Sequence, residues 1–301
     1  MKKEFKTENT KWVIIRKPTS RDIKFLKEEF DFHRITLNEL KSPSLRAKVE
    51  RYDHYLFMVI HFPVYIPKEK ASYDREIDFL ITKNALVTVT YNEIPALKEF
   101  QEKLEQNQEI KKPLFRSPAL LLYQILDTNL EFSHRQLLHI HKKINEVEKN
   151  IYHGKERKMI EKISVILRDI LDCRRIIKSE LPILESLERN VQKFFGKKYQ
   201  PYFGSLLGKY HLVWQMLDSQ HETIRILQET NLGLLSIRIN EAIRTLTGFA
   251  VPTFVLTMLA TIFGWRLLPL LGTPYDFWIF LGILATIGCL MLIYFKKKKW
   301  I

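Results

Sequence analysis

The chain has 301 residues, and its 48 Lys and Arg against 34 Asp and Glu give a formal net charge of +14 at pH 7. A mean hydropathy of −0.16 excludes a protein embedded in a membrane throughout. Two distant cysteines, Cys173 and Cys289, exclude a disulfide framework. The charge leaves nucleic acid, anionic lipid or a basic cytoplasmic surface open, and the charged N-terminus predicts no secretory signal.

Residues 1–112 predict a small α/β domain. Four segments rich in β-branched and aromatic residues predict strands. They cover residues 12–15, 55–65, 76–82 and 85–91. Lys83-Asn84, between the last two, favours a tight hairpin turn. Residues 19–30 predict a capped amphipathic helix and residues 95–106 predict another helix.

The region after this domain is helical in pattern. Residues 113–202 predict a helical hairpin, with helices at 117–152 and 155–195. Residues 203–245 predict a long stalk helix, because they contain no proline and their apolar residues recur at helical spacing. The pattern continues into the next apolar run, so one helix of roughly 60 residues, about 90 Å long, is expected. It needs partner helices or copies of itself to cover its sides.

Two apolar runs near the C-terminus predict a transmembrane hairpin. Residues 246–264 and 277–295 each contain nineteen residues without a charge, and about 20 apolar residues span a bilayer core. Residues 265–276 would form the connecting loop. The alternative is a pair of buried core helices in a soluble protein. Pro252 is tolerated in the first span where neighbouring helices satisfy the freed carbonyl.

The flanking charges predict the orientation of the hairpin. Arg238 and Arg244 precede the first run, and a basic tail, residues 296–301, follows the second. By the positive-inside rule both termini are cytoplasmic and the loop is external, in a two-span protein of the cell membrane. The lysines of the tail would lie near anionic lipid headgroups. They are Lys296, Lys297, Lys298 and Lys299.

Four stretches of the chain resemble the CorA metal-ion transporter family. They read RYDHYLFMVIHFP (51–63), EIDFLITKNALVTV (76–89), RINEAIRTLT (238–247) and YFKKKKWI (294–301). The resemblance covers nearly the whole chain. It implies a funnel-shaped homopentamer with a cytoplasmic α/β domain and long helices, a first span that lines a central pore, and a second span that faces lipid.

The resemblance also implies passage of divalent cations, Mg²⁺, Co²⁺, Ni²⁺ or Zn²⁺, across the membrane, and no enzymatic activity. The sequence contains nothing that resembles a nucleotide-binding loop or a catalytic triad. No nucleic-acid module accompanies the basic charge, which fits anionic lipid better. No cofactor is expected beyond a transported or regulatory cation.

A left-handed helix bundle repeats its inner face about every 3.5 residues, which predicts a pore line. From Asn240 the repeat selects Ile243, Thr247, Ala250, Phe254, Thr257, Thr261 and Gly264. Asn240 and Thr257 match pore-facing polar positions of the family, so the resemblance implies that they hold a hydrated cation. A polar residue that sets helix register is the alternative for Asn240. Ile243, Leu246 and Phe254 would form apolar constrictions, although Leu246 fits packing between subunits equally well.

The chain departs from the family at the end of the first span. Gly264-Trp265-Arg266 stands in place of the family's Gly-Met-Asn signature. A ring of Arg266 at the external mouth would repel a dication by on the order of several kcal/mol, unless Asp276 or lipid phosphates pair with it. Two alternatives to cation transport therefore stay open. One is a transport-incompetent homologue that acts as a membrane-anchored regulator or partner, and the other is a pore of altered selectivity, such as one that passes anions.

The predicted cytoplasmic region holds further candidate ligands. In the family, carboxylates between neighbouring cytoplasmic domains bind regulatory metal. Four acidic residues could contribute here, Asp169, Asp172, Asp218 and Glu222. His134, His139 and His141 do not make a compact metal site and are interpreted as surface or interface residues.

Overall fold

The computed structural model describes residues 2–44, 46–267 and 276–298. The chain divides into two compact units, residues 1–228 and 229–301. The first unit contains a mixed sheet with helices packed against it, and the second contains the C-terminal helical segments.

The described residues form one six-stranded sheet. Its strands are β1 (Lys2–Lys6), β2 (Lys11–Arg16), β3 (Lys48–Arg51), β4 (Tyr55–Ile66), β5 (Ala71–Thr82) and β6 (Ala85–Thr90). Their order is β1-β2-β6-β5-β4-β3, and all neighbours are antiparallel except β2 and β6. The four predicted strands and the hairpin turn between β5 and β6 are confirmed.

β1 and β3, the two edge strands, are not predicted by the sequence patterns. They read KKEFK and KVER, so charge outweighs the alternation of a half-buried strand. Charged edge strands resist pairing with other chains. Tertiary pairing with β2 and β4 therefore determines these elements more than local propensity does.

One face of the sheet is covered by α1 (Ser20–Phe30) and α2 (Arg34–Glu39). Thr19 caps α1 through a capping box with Asp22, which satisfies backbone N–H groups at the helix start. Leu26 and Leu37 from these helices pack against apolar strand residues. Those strand residues include Val13, Ile15, Tyr55, Phe57, Val59, Leu80, Val87 and Val89.

Four further helices follow strand β6. They are α3 (Pro95–Gln106), α4 (Gln108–Leu114), α5 (Pro118–Tyr152) and α6 (Glu156–Phe195). The predicted helices at α3, α5 and α6 are confirmed, and Ser117 Oγ caps α5 by accepting from Ala119 N. α5 and α6 contact each other and strands β4 and β5.

Strand β4 extends beyond its edge neighbour. β3 pairs with Leu56–Val59 only, so the rest of β4 has an open edge. Glu180 of α6 accepts from His61 N at 3.2 Å. Gln136 of α5, with its amide oriented to satisfy both partners, donates to Pro63 O at 3.0 Å and accepts from Tyr65 N at 2.9 Å. Side chains of two helices therefore replace the missing strand.

The last two helices are α7 (Gln200–Leu267) and α8 (Asp276–Lys297). α7 is continuous through Pro252, as the sequence pattern predicts. It also continues through Trp265 and Arg266, where the sequence was expected to begin a loop. The reason is that these residues include no helix breaker, and the next proline in the sequence is Pro269. Residues 268–275 of the expected loop lie outside the described residues.

Within the first unit, polar contacts fix α7 to α5 and α6. Tyr210 Oη donates to the carbonyl of Ile177, and Gln220 Nε2 donates to the carbonyl of Leu137 at 2.9 Å. Lys209 Nζ lies 2.5 Å from Asp127 Oδ1. Since Asp127 is buried, the paired lysine offsets the cost of burying its charge.

Candidate functional site

In the second unit, α7 exposes large apolar side chains. Phe254 is 71% exposed and Leu246 is 69% exposed. A window within Lys197–Ile262 has a mean hydropathy of 1.7, and among the described residues this is the one helix long and apolar enough to cross a membrane. An apolar surface of this extent marks contact with lipid or another protein.

One side of α7 is covered. Gly248 and Pro252, one turn apart, are buried, and Leu259 is half-buried. Leu256 approaches Gly288 of α8, where an added Cβ atom would lie 3.2 Å from Leu256 Cδ1. α8 therefore contacts α7 on the side that carries Pro252 and Leu256.

The residues of the predicted pore line lie on the opposite side of α7. At about 100° of rotation per residue, they fall within about 60° of the direction opposite Pro252. They are Asn240, Ile243, Thr247, Ala250, Phe254, Thr257 and Thr261, and the proposed constriction residue Leu246 falls within the same range. All are exposed except Thr247, which is half-buried. The face chosen by the 3.5-residue repeat is thus a different face from the one that contacts α8.

The threonines of this face share one hydrogen-bond arrangement. The hydroxyls of Thr247 and Thr257 each donate to the carbonyl four residues earlier at 2.8 Å, and that of Thr261 does so at 2.7 Å. Each hydroxyl has a single proton, so its lone pairs alone remain to interact with other groups. Such an oxygen accepts hydrogen bonds from water, including the water around a cation.

The repeat leaves one ambiguity that the structure exposes. Because 3.5 is not an integer, every second step falls between two residues, so Met258 qualifies as well as Thr257, and Val251 as well as Ala250. Met258 is 54% exposed and Val251 is 39% exposed. Sequence reasoning missed both neighbours, and the non-integer step was the signal that could have found them.

The helical backbone at the end of α7 places Trp265 and Arg266 on different sides of the helix. Arg266 follows Pro252 by nearly four turns, which places its backbone within about 40° of the side that contacts α8. Trp265 follows Thr261 by about one turn and shares the side of the predicted pore line. The expectation that Arg266 forms a ring of charge at a pore mouth stays a prediction, and this backbone position weighs against it.

The basic tail is described in part. Lys296 and Lys297 form the last turn of α8, and Lys298 N donates to the carbonyl of Tyr294 at 3.0 Å. These three lysines are exposed. Lys299 lies outside the described residues.

The acidic candidates of the first unit are dispersed. Asp218 Oδ1 lies 2.9 Å from Arg174 Nη2, Asp172 Oδ1 lies 3.4 Å from Arg175 Nη2, and Glu222 is exposed. Burial raises the pKa of Asp169. The described part of the chain brings no group of three or more His, Cys, Asp or Glu side chains together for a metal ion.

The three histidines on α5 are on the surface. His134, His139 and His141 are exposed, and His141 Nε2 lies 3.3 Å from Asn145 Nδ2. Their exposure agrees with the interpretation as surface or interface residues.

The chain belongs to the family of CorA-like Mg²⁺ transporter proteins, whose model matches residues 7–297. The resemblance found in the sequence is thereby confirmed over nearly the whole chain.

Relatives and solved structures agree with this assignment. The chain is 23% identical over 276 residues to the cobalt/magnesium transport protein CorA of Thermotoga maritima, covering 91% of this chain and 78% of the relative. It is 25% identical over 294 residues to the putative metal ion transporter YfjQ of Bacillus subtilis, covering 96% and 89%.

Two full-length structures define the fold. The CorA magnesium transporter of Methanocaldococcus jannaschii matches with a TM-score of 0.84 at 20% identity, over 99% of this chain and 93% of that chain. The full-length CmaX protein matches with a TM-score of 0.73 at 14% identity, over 97% and 89%. The fold of this chain is therefore that of CorA.

Proposed function

We propose that the protein transports divalent metal cations across the cell membrane as a homopentamer of CorA type. Membership of the CorA-like Mg²⁺ transporter family supports this, as do relatives named cobalt/magnesium transport proteins. The observation that carries it is the exposed face of α7, where polar residues alternate with large apolar ones on a helix apolar enough to cross a membrane.

In the proposed topology, residues 246–264 and 277–295 span the membrane and both termini are cytoplasmic. α7 would line the pore, and α8 would lie outside it and face lipid. The exposed lysines at the end of α8 favour this arrangement, because each contributes about 1 kcal/mol near an anionic headgroup. Anionic lipid of the cytoplasmic leaflet is then the partner of the basic tail.

The ion would pass with its water. Mg²⁺ dehydrates reluctantly, so a pore for it is built to bind the hydration shell. Five Asn240 amides and five Thr257 hydroxyls would accept hydrogen bonds from that shell. Ile243, Leu246 and Phe254 would narrow the path and close it by dewetting.

Flux into sealed liposomes tests the proposal. The purified chain should admit Mg²⁺ or Co²⁺, reported by an indicator dye inside the vesicle, and hexaammine cobalt should block the flux. Chloride flux would support a pore of altered selectivity. No flux of any ion would support a transport-incompetent homologue that acts as a regulator or partner.

A second candidate function, the pore of altered selectivity, rests on Trp265 and Arg266 in place of the family's Met-Asn. The charge argument requires Arg266 on the pore axis, but the helical position of its backbone is on the α8 side. We therefore expect Arg266→Asn to change Mg²⁺ flux less than about threefold, which corresponds to less than about 1 kcal/mol in barrier height. A rise in Mg²⁺ flux of tenfold or more in the same vesicles would instead indicate that Arg266 forms a ring of charge at the pore mouth.

A further inference from the structure

A groove in the first unit has no part in the proposed transport. It has a volume of about 620 Å³ and lies where α5 passes α3, α6 and the adjoining ends of β4 and β5. Pockets for small molecules have volumes of about 300–1,000 Å³. The groove is therefore large enough for a metabolite.

A buried carboxyl group lines the groove. Asp169 is 2% exposed, and its Oδ1 atom has no hydrogen-bond partner in the described part of the chain. Burial raises the pKa of this carboxyl group, while the neighbouring Ser72 and Lys143 lower it. A buried polar atom without a partner is unfavourable unless a ligand or water supplies one.

A row of basic side chains forms one wall. Arg135, His139 and Lys143 follow one another at intervals of four residues along α5, so they share a helix face. Arg135 Nη2 is paired with Glu99 at 2.7 Å. Lys143 Nζ donates to Tyr65 Oη at 3.2 Å, and its charge lies close enough to Asp169 to lower the pKa of that carboxyl group. Two of its three N–H donors therefore remain for an anion.

The remaining walls present flat surfaces. The ring of Phe132 lies 5.5 Å from Arg135 Cζ, and the ring of Tyr65 lies 4.3 Å from Lys143 Nζ. Aromatic rings and planar guanidinium groups favour stacking with a planar ligand. The groove has no set of metal-ligating side chains among the described residues, so it is not built for a bare cation.

We propose that this groove binds an organic phosphate that carries a planar heterocycle, the chemical class of the nucleoside monophosphates. The phosphate contacts Lys143 and His139, because an ammonium group and an imidazole both donate to phosphate oxygens. The heterocycle lies against Phe132, and an exocyclic amino group on the heterocycle, as in adenine, donates to the Asp169 carboxyl group.

Equilibrium binding of adenosine 5′-monophosphate to the full-length protein in detergent tests the proposal, with EDTA present so that no divalent metal takes part. Saturable binding is expected. Lys143→Met removes the charge and keeps the chain length, and it should weaken binding about tenfold or more. The matched control is Lys142→Met, since Lys142 is the next residue, is exposed and is outside the groove.

Two further arms test the ends of the ligand. Asp169→Asn should weaken the binding of adenosine monophosphate without changing the affinity for inorganic phosphate. Inorganic phosphate alone and adenosine alone should each bind to the unsubstituted protein at least tenfold more weakly than the monophosphate does. Thermal unfolding of each variant checks that it is folded.

The proposal is overturned if the monophosphate shows no saturable binding at millimolar concentration, or if Lys142→Met weakens binding as much as Lys143→Met. Inorganic phosphate that binds as tightly as the monophosphate would also overturn it, because the ring would then contribute nothing. These measurements involve neither ion flux nor metal, so their outcome is independent of the proposed transport.

Discussion

A threonine hydroxyl has one proton, and on α7 that proton is donated to the helix backbone. Thr257 Oγ1 donates to Thr253 O at 2.8 Å, so it offers its lone pairs alone to the outward face of the helix. Valine has nearly the same shape without the oxygen. A substitution by valine therefore tests the role of the Thr257 oxygen while the side-chain volume stays nearly the same.

We expect Thr257→Val to lower Mg²⁺ flux in liposomes about tenfold or more. A loss of about 1.4 kcal/mol suffices for that factor, and a pentamer would lose five acceptors at one level of the pore. Thr257→Ser should keep most of the flux. Initial rates at equal protein density measure the effect.

The matched control for this substitution is Thr286→Val on α8. Thr286 Oγ1 donates to Gly282 O at 2.8 Å in the same manner, but the proposed pore excludes α8. Equal losses of Mg²⁺ flux in the Thr257→Val and Thr286→Val variants would contradict a place for Thr257 in the ion path.

Glu180 provides a test at a single residue of the first unit. The side chain is 4% exposed, and burial raises its pKa well above the usual value of 4.5. The folded state thus binds the proton more tightly than the unfolded chain does. Its contribution to stability is present below pH 4.5 and is lost as the pH rises towards the raised pKa.

We expect Glu180→Gln to remove this loss, because glutamine is neutral at every pH and its Oε1 can still accept from His61 N. The melting temperature of the variant, relative to the unsubstituted chain, should increase between pH 5 and pH 8. Glu185→Gln, on the exposed side of the same helix, is the control and should give a constant difference. If the melting temperatures of Glu180→Gln and the unsubstituted chain differ by the same amount at every pH, the prediction is wrong.

At the scale of the element, two glycines of α8 differ in their surroundings. A Cβ atom on Gly288 would lie 3.2 Å from Leu256 Cδ1, whereas one on Gly282 would meet nothing within 4 Å. Alanine favours a helix over glycine by about 1 kcal/mol, but overpacking costs about 1–3 kcal/mol.

Gly282→Ala is therefore expected to leave the protein unchanged or stabilise it slightly, while Gly288→Val should lower its stability by about 1–3 kcal/mol. Unfolding in detergent, followed by circular dichroism, measures both. Leu256→Ala should relieve part of the Gly288→Val defect. If the double variant is no more stable than Gly288→Val alone, the two side chains are not in conflict.

The elements differ in how far the sequence predicts them. The sequence predicts β4, β5 and β6 because their apolar runs end at turn residues. It predicts α7 because the helical spacing of apolar residues continues without a break. It does not predict β1, β3, α2 and α4, since they are short and depend on tertiary packing, and α4 even contains Pro113. Local patterns carry little information about elements that neighbouring structure stabilises.

The candidate site shows the same limit. A 3.5-residue repeat selects one face of α7, and the burial of Gly248 and Pro252 on the other side supports that choice. The repeat does not distinguish Thr257 from Met258. The position of Arg266 depends on where the helix ends, and that end extends to Leu267. The groove beside Lys143 is not visible in the sequence, because its residues come from α3, α5, α6 and two strands.

At the scale of the whole molecule, the exposed face of α7 predicts an assembly. In a pentamer of the proposed kind, five copies of Phe254 would surround one axis, close enough for cross-linking. We expect Phe254→Cys, in a chain with Cys289→Ser, to form disulfide-linked dimers rapidly in membranes under mild oxidation. Non-reducing electrophoresis reports the product.

Ile283→Cys in the same background is the control, since Ile283 is 54% exposed on α8, the helix proposed to face lipid. It should cross-link slowly or not at all. The mass of the protein in detergent should be close to five subunits. A monomeric mass would contradict the proposed pentamer and, with it, the proposed pore.

The open edge of β4 has a consequence for synthesis of the chain. β4 is complete at Ile66, whereas the side chains that satisfy its edge belong to Gln136 and Glu180, much later in the sequence. A ribosome-bound or truncated chain that ends before α6 would expose free backbone groups beside an apolar strand. Unpaired strand edges of this kind recruit other chains. Fragments cut between β6 and α6 are therefore expected to aggregate, and so is a nascent chain that stalls before α6 has left the ribosome.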